Sequence, residues 1–221
     1  GVQFMTMSIS LEYPSVVVNQ LITNTAPIWI ALLEVVILKQ KFTRWLYVGI
    51  AITFAGGAII AISSGSSTSG ANPELGNMIA FLSAIAAALY IFSGRVNRTR
   101  ISIVPYVWII YLTGGMTCLI AAFITSTPIL GYSSDAYFWL LMTTLIPQLI
   151  GHSAMNYVVG YLPATVTSLA NQLVVLTSGI LAYLFFRELP TPLEVVGIVV
   201  VVSGVALAIL AQAASRRKRK A

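Results

Sequence analysis

Apolar residues run through this chain in long blocks, and polar residues punctuate them. Seven stretches are long enough to cross a hydrocarbon core of about 30 Å, which takes ~20 helical residues. They are Ser15 to Leu38, Trp45 to Ser63, Gly76 to Gly94, Val104 to Thr125, Ala136 to Val158, Pro163 to Phe186 and Thr191 to Gln212, here called spans one to seven. A membrane barrel would alternate polarity over segments of about ten residues, and these runs are continuous. The pattern predicts an all-α, polytopic membrane helix bundle.

Composition agrees. Hydrophobic residues make up 58% of the chain and charged residues 8%, too little polar surface to keep a domain of this size dissolved in water. The one cysteine, Cys118, falls inside span four, so neither an intrachain disulfide nor a cysteine metal site can form, and no cofactor is expected. A net charge of +6 raises nucleic acid as a partner, but the basic residues are scattered over short loops and one tail without forming a basic face. No cleavable signal is visible, because Gly1 opens directly into apolar sequence.

That scatter acquires meaning once the spans alternate across a bilayer. The segments Lys39 to Arg44, Arg95 to Ile103, Val159 to Leu162 and Arg216 to Ala221 then share one side. They carry eleven of the twelve Lys and Arg residues, and Arg187 lies opposite. Cytoplasmic loops are enriched in such residues, so this side and the C-terminus are predicted to be cytoplasmic, in the plasma or inner membrane. The Asn97-Arg98-Thr99 triplet, which fits a glycosylation acceptor, falls on the same side, where that modification does not occur.

Sliding the chain on itself by 148 residues aligns spans one and two with spans six and seven without gaps. Tyr13 meets Tyr161, Lys39 meets Arg187, Thr43 meets Thr191, Gly49 meets Gly197, Gly56 meets Gly204 and Ala58 meets Ala206. Span one runs inward and span six outward, so the repeat is inverted, an architecture common among secondary transporters. The expected organisation is the end of a first repeat (1–63), an extracytoplasmic linker (64–75), a second repeat (76–212) and a basic cytoplasmic tail (213–221). On this logic the first repeat lacks its beginning, residues 1–10 end a further helix, and the intact molecule has ten spans.

Two segments carry a family resemblance. "LEYPSVVVNQLITNTAPIWIALLEVVILKQKFTRWLYVGIAITFAGG" and "YLPATVTSLANQLVVLTSGILAYLFFRELPTPLEVVGIVVVVSGVAL" both resemble the closing third of an EamA domain: a Tyr-initiated helix, an apolar run to a charged turn, then a helix with two glycines seven residues apart. The chain is thus similar to the EamA branch of the drug/metabolite transporter superfamily. That resemblance implies two inverted five-helix repeats, cytoplasmic termini, a central cavity, peripheral last helices, and in many members export of amino acids or other metabolites. The first turn reads Lys39-Gln40-Lys41 where the second has Arg187-Glu188-Leu189, so the usual turn glutamate is missing from the first half.

Polar side chains within a span face other helices or water, and their clustering marks an interior face. In span five Gln148, His152 and Asn156 recur every four residues, drifting only about 40° per step, directly after Pro147. They are candidate substrate-binding groups, their competing role being ordinary interhelical bonding worth ~0.6 kcal/mol each. Span one presents Gln20, Asn24, Pro27 and Glu34 on one broad face. Span six offers Thr167, Asn171 and Ser178, with Gln172 on a neighbouring face. Gln20, Asn24 and Asn171 complete the expected binding set. Glu34 is the one acid in the interior of a span, Glu194 lying in the first turn of span seven. Desolvation favours the neutral form of a carboxyl, which makes Glu34 the candidate for proton coupling, against a structural role near the loop lysines. Tyr90 and Ser83 share a face of span three that could look into the cavity. The paired glycines of spans two and seven are read as packing sites, and Tyr13, Trp45, Tyr106, Trp108, Tyr137, Trp139 and Tyr161 as interfacial anchors.

The function expected is secondary-active transport, with export the favoured direction, of a small neutral, zwitterionic or cationic metabolite or drug by alternating access, with a proton or other ion as coupling partner and homodimerisation left open. No Lys or Arg falls inside a span, which disfavours phosphorylated substrates. A membrane enzyme would need a nucleophile and base, or several metal ligands, at membrane depth, and the span interiors supply one His and one Glu, with Glu194 at the edge of span seven. A scaffold or receptor is the other alternative, though an inverted repeat gives it no advantage.

Overall fold

The computed structural model describes residues 21–63, 73–187 and 189–218, and all regular structure among them is helical. Helix α1 spans Ala26–Val36, α2 Arg44–Ser63, α3 Pro73–Asn97, α4 Ile103–Ile124 and α5 Ser134–Thr143. A π-helix over Thr144–His152 leads into α6, Ser153–Val158. Then come α7 Ala164–Asn171, α8 Val174–Phe186 and α9 Pro192–Lys218. Five helical stretches are long and apolar enough to cross a membrane: Arg44–Ser63, Leu75–Asn97, Ile103–Ile124, Ala164–Phe185 and Pro192–Ser215. Of span one the described part is a shorter apolar helix, Leu21–Val36. Span five is present in three pieces, α5, the π-helix and α6. Helix α9 continues past the expected end of span seven into the basic segment. The linker residues 64–72 lie outside the described residues.

Helix boundaries follow local chemistry. Thr191 and Glu194 form a reciprocal box at the start of α9: the Thr191 amide donates to Glu194 Oε2 (2.7 Å) and the Glu194 amide to Thr191 Oγ1 (3.2 Å). Pro192 takes the first helical position, where no backbone donor is needed. At the far end of span five, Arg95 of α3 and Arg98 directly after it cover the terminal carbonyls. Arg95 donates to the carbonyls of Val159 (3.4 Å) and Gly160 (3.0 Å), and Arg98 Nε to that of Asn156 (3.2 Å). Cations are favoured there because a helix C-terminus carries partial negative charge.

The centre of the bundle is built by α1 and α7, one from each repeat. One apolar cluster joins Ala31 of α1 and Leu46 and Ile50 of α2 to Val166 and Leu169 of α7 and Ala208 of α9. A second joins Ile30 to Ala88 and Ile91 of α3, Val159 and Ala164. Helix α4, by contrast, is exposed along most of its length, with Trp108 70% and Phe123 70% accessible, as suits lipid or further helices.

The repeat reappears in the backbone. Lys39 and Arg187, 148 residues apart, both adopt the left-handed conformation, with φ of 50° and 58°; Arg187 directly follows α8 and Lys39 lies three residues past the end of α1. Helices α2 and α9 pack antiparallel through their glycines. A β-carbon built on Gly49 would lie 2.6 Å from the Gly204 carbonyl, and one on Gly56 2.9 Å from that of Gly197. Exchanging the repeats turns the first contact into the second, so the seam maps onto itself. Close backbone approach of this kind is what small residues permit between membrane helices, the packing role read from the sequence.

Candidate functional site

Spans one and six are both broken, and at the same repeat position. The first helix interrupts at Asn24–Thr25 and its counterpart at Gln172–Leu173. The hydrogen bonds tighten identically: Thr25 N to Ile22 O (3.0 Å) and Ile28 N to Thr25 O (2.9 Å) in one, Leu173 N to Ala170 O (3.1 Å) and Leu176 N to Leu173 O (3.0 Å) in the other. All four are three-residue bonds, which leave nearby groups free of the α-helical ladder. One freed group is used at once, since Gln172 Nε2 donates to the Asn24 carbonyl at 3.3 Å. Donor and acceptor are repeat equivalents, so this bond sits at the pseudo-two-fold axis. Thr25 stabilises its own break by donating from Oγ1 to the Ile22 carbonyl (2.6 Å) and accepting from Trp29 Nε1 (3.1 Å).

Span five turns its polar stripe inward. Gln148 and His152 are half-buried and Asn156 is buried, while Ile146, Leu149 and Ile150 are exposed. Around Pro147 the helix widens to a π turn, so the angular relation of Gln148 to His152 departs from that of an α-helix. Asn156 accepts from the Tyr90 hydroxyl at 3.0 Å through Oδ1, and its Nδ2 has no hydrogen-bond partner among the described residues. The buried Tyr106 hydroxyl is likewise unpartnered. Gly94 brings the two together: a β-carbon there would lie 3.1 Å from Tyr106 Oη and 3.9 Å from Asn156 Oδ1. Tyr106 thus points into the bundle and is not the interfacial anchor expected. Tyr111, which the sequence reading passed over, bonds the Gln148 carbonyl and Ser153 Oγ, each at 2.9 Å.

Glu34 is fully buried. Its Oε1 accepts from the Ala164 amide (2.8 Å), and its Oε2 from the Thr165 amide (3.0 Å) and the Thr165 hydroxyl (2.7 Å). The residue before α7 is Pro163, which has no side-chain acceptor, so Glu34 caps that helix from across the repeat boundary. Bonds to a charged acceptor contribute on the order of 1.5–3 kcal/mol each, and the helix N-terminus adds favourable dipole interaction. The loop lysines, expected partners in a structural role, are replaced by backbone amides 130 residues away.

Of the other expected residues, Asn24 is half-buried at the axis, whereas Asn171 is exposed and Gln172 takes its place beside Asn24. The repeat shift itself points to Gln172, since it aligns with Asn24. Gln20 lies outside the described residues. Thr167 is buried and donates to the Pro163 carbonyl (3.2 Å), and Ser178 is exposed and donates to that of Val174 (2.7 Å). Two clefts lie away from the stripe. One of about 270 Å³ includes Ile60, Ser178 and Ile198, and one of about 580 Å³ includes Arg98, Arg100, Tyr157 and Tyr161. Among the described residues, no cluster of three or more His, Cys, Asp or Glu could hold a metal.

The profile of the EamA-like transporter family matches residues 74–210. An uncharacterized transporter of Bacillus subtilis, YdfC, is 27% identical over 191 residues, covering 85% of this chain and 60% of that protein. A probable terminal-alkyne amino-acid exporter of Streptantibioticus cattleyicolor is 25% identical over 193 residues, covering 85% and 62% respectively. The chain therefore spans about 60% of the length of these relatives. A solved crystal structure with 15% identity superposes with a TM-score of 0.73 over 94% of this chain and 73% of that one, a likeness of fold.

Proposed function

This chain belongs to the EamA-like transporter family, and from that premise we propose that its full-length carrier moves a small neutral, zwitterionic or cationic metabolite outward across the plasma membrane by alternating access. The observation that carries the reading is the pair of helix breaks at equivalent positions, bonded to each other at the axis through Gln172 and Asn24. Broken helices meeting at a repeat interface are where such carriers place their sites. Gln148, His152 and Asn156 form the wall of the path, with Asn24 at its axis; Gln20 and Asn171 complete the set read from sequence. The unpaired Asn156 amide is a donor suited to a carboxylate or carbonyl oxygen. An amino-acid-like substrate accords with the name of the Streptantibioticus relative. If the coupling ion is a proton, Glu34 is the acid that takes it. The C-terminus is placed in the cytoplasm by the charge pattern.

Counterflow in proteoliposomes, with a labelled panel of amino acids and related metabolites, tests the reading. Saturable exchange is expected, falling about tenfold or more in Gln148→Ala and His152→Ala while the protein stays folded, as loss of polar substrate contacts implies. Exchange of no panel member, or full exchange in both variants, would count against the assigned substrate path.

A further inference from the structure

The features joining the two repeats fall into two kinds. The glycine seam, the left-handed turns and the helix breaks all recur 148 residues on; the carboxylate of Glu34 does not, because the residue there is Ala182. Glu34 lies on α1 in the first repeat, and the three groups that donate to it lie at the start of α7 in the second. Among the described residues, every hydrogen bond of its carboxylate therefore crosses between repeats, and the side chain is fully removed from solvent. The charge pattern places this contact at the cytoplasmic ends of both helices.

Resting on the alternating-access reading above, we propose that Glu34 is a positioning residue for transport: a one-sided latch that ties the cytoplasmic ends of α1 and α7 in this conformation and has no equivalent in the opposite one. In an inverted-repeat carrier the second conformation arises when the halves exchange shapes. A contact whose partners both have repeat counterparts is then rebuilt between those counterparts. The Glu34 contact is not, since alanine offers no acceptor. It lowers the free energy of one state alone, and so sets the population of the two. A cap serving only to hold α7 together would not need to come from the other repeat.

The test is a distance measurement without substrate, in the full-length carrier reconstituted in lipid with Cys118→Ser. Spin labels at Ile37 and Tyr161, 56% and 62% exposed beside the two helix ends, report the separation by double electron–electron resonance. The short-distance population should dominate in the parent protein. Glu34→Gln and Glu34→Ala should move the ratio toward the long-distance state by about tenfold or more, and Thr165→Val, which removes one donor and spares the backbone, by less. Moving the acid, by Glu34→Ala with Ala182→Glu, should favour the long-distance state beyond Glu34→Ala alone. An unchanged distribution in folded Glu34→Gln and Thr165→Val overturns the latch, even if both unfold at lower temperature. Counterflow of the same proteins separates the two readings. Exchange with an unchanged distribution leaves transport standing without the latch, and a shifted distribution without exchange does the reverse.

Discussion

Asn156 gives its oxygen to Tyr90 and, among the described residues, leaves its amide hydrogens without a partner in a buried setting. An unsatisfied group of this kind costs stability, on the order of 1–3 kcal/mol, so replacing it with an apolar residue of similar volume removes a penalty along with a bond. Asn156→Leu should therefore unfold within about 1 kcal/mol of the parent in detergent, yet abolish substrate exchange; a large loss of both would make Asn156 a structural residue. Arg98 is the contrasting case. Its guanidinium covers the Asn156 carbonyl and bonds the Ile101 carbonyl, so Arg98→Ala should destabilise by about 2 kcal/mol or more, read as a lower unfolding midpoint. At this scale the sequence was only partly legible. That Glu34 would be buried on an interior face followed from its place in span one. What it would meet did not, because backbone amides at Ala164 and Thr165 leave no signature in residue type. On a continuous helix Asn171 shares the face of Thr167 and Ser178, and Gln172 lies about 100° away from it. The break at Gln172–Leu173 ends that continuity.

Among the elements, the α2–α9 seam makes the firmest prediction. At Gly204 an added β-carbon would lie 2.6 Å from both the amide nitrogen and Oγ1 of Thr53 and 2.8 Å from the Gly49 carbonyl, so backbone must shift. Gly204→Val should cost about 3 kcal/mol or more. Gly115, on exposed α4, has nothing within 4 Å of the added carbon, and Gly115→Ala should be neutral or stabilise by up to about 1 kcal/mol. Thermal unfolding of the two variants side by side checks both. The glycine spacing was readable because it occurs twice. The π turn was not: Pro147 signals an interruption, but whether the helix widens, kinks or stops depends on which carbonyls find donors, such as Tyr111 to Gln148.

For the whole molecule, the bilayer made the fold legible. A fixed hydrocarbon thickness forces span length, and loop lysines and arginines report orientation, so length and charge patterning carried the helical class and the inverted repeat without any contact being known. Reporter fusions at the C-terminus and in the segment holding Arg187 should read as cytoplasmic and extracytoplasmic respectively; the reverse result would overturn the orientation. The glycine seam adds a consequence for energetics. Because Gly49 against Gly204 becomes Gly197 against Gly56 when the repeats trade places, the glycine contacts of the seam are the same in either arrangement, whereas the residues packed on them differ, Thr53 standing where the other repeat has Val201 and Ile60 where it has Ala208. Those glycine contacts alone are a balanced axle, without a preferred direction. On the alternating-access reading proposed above, a preference for one side comes from positions where the repeats differ, Glu34 and the residues flanking the glycines among them, and changing those positions leaves the glycine contacts themselves untouched.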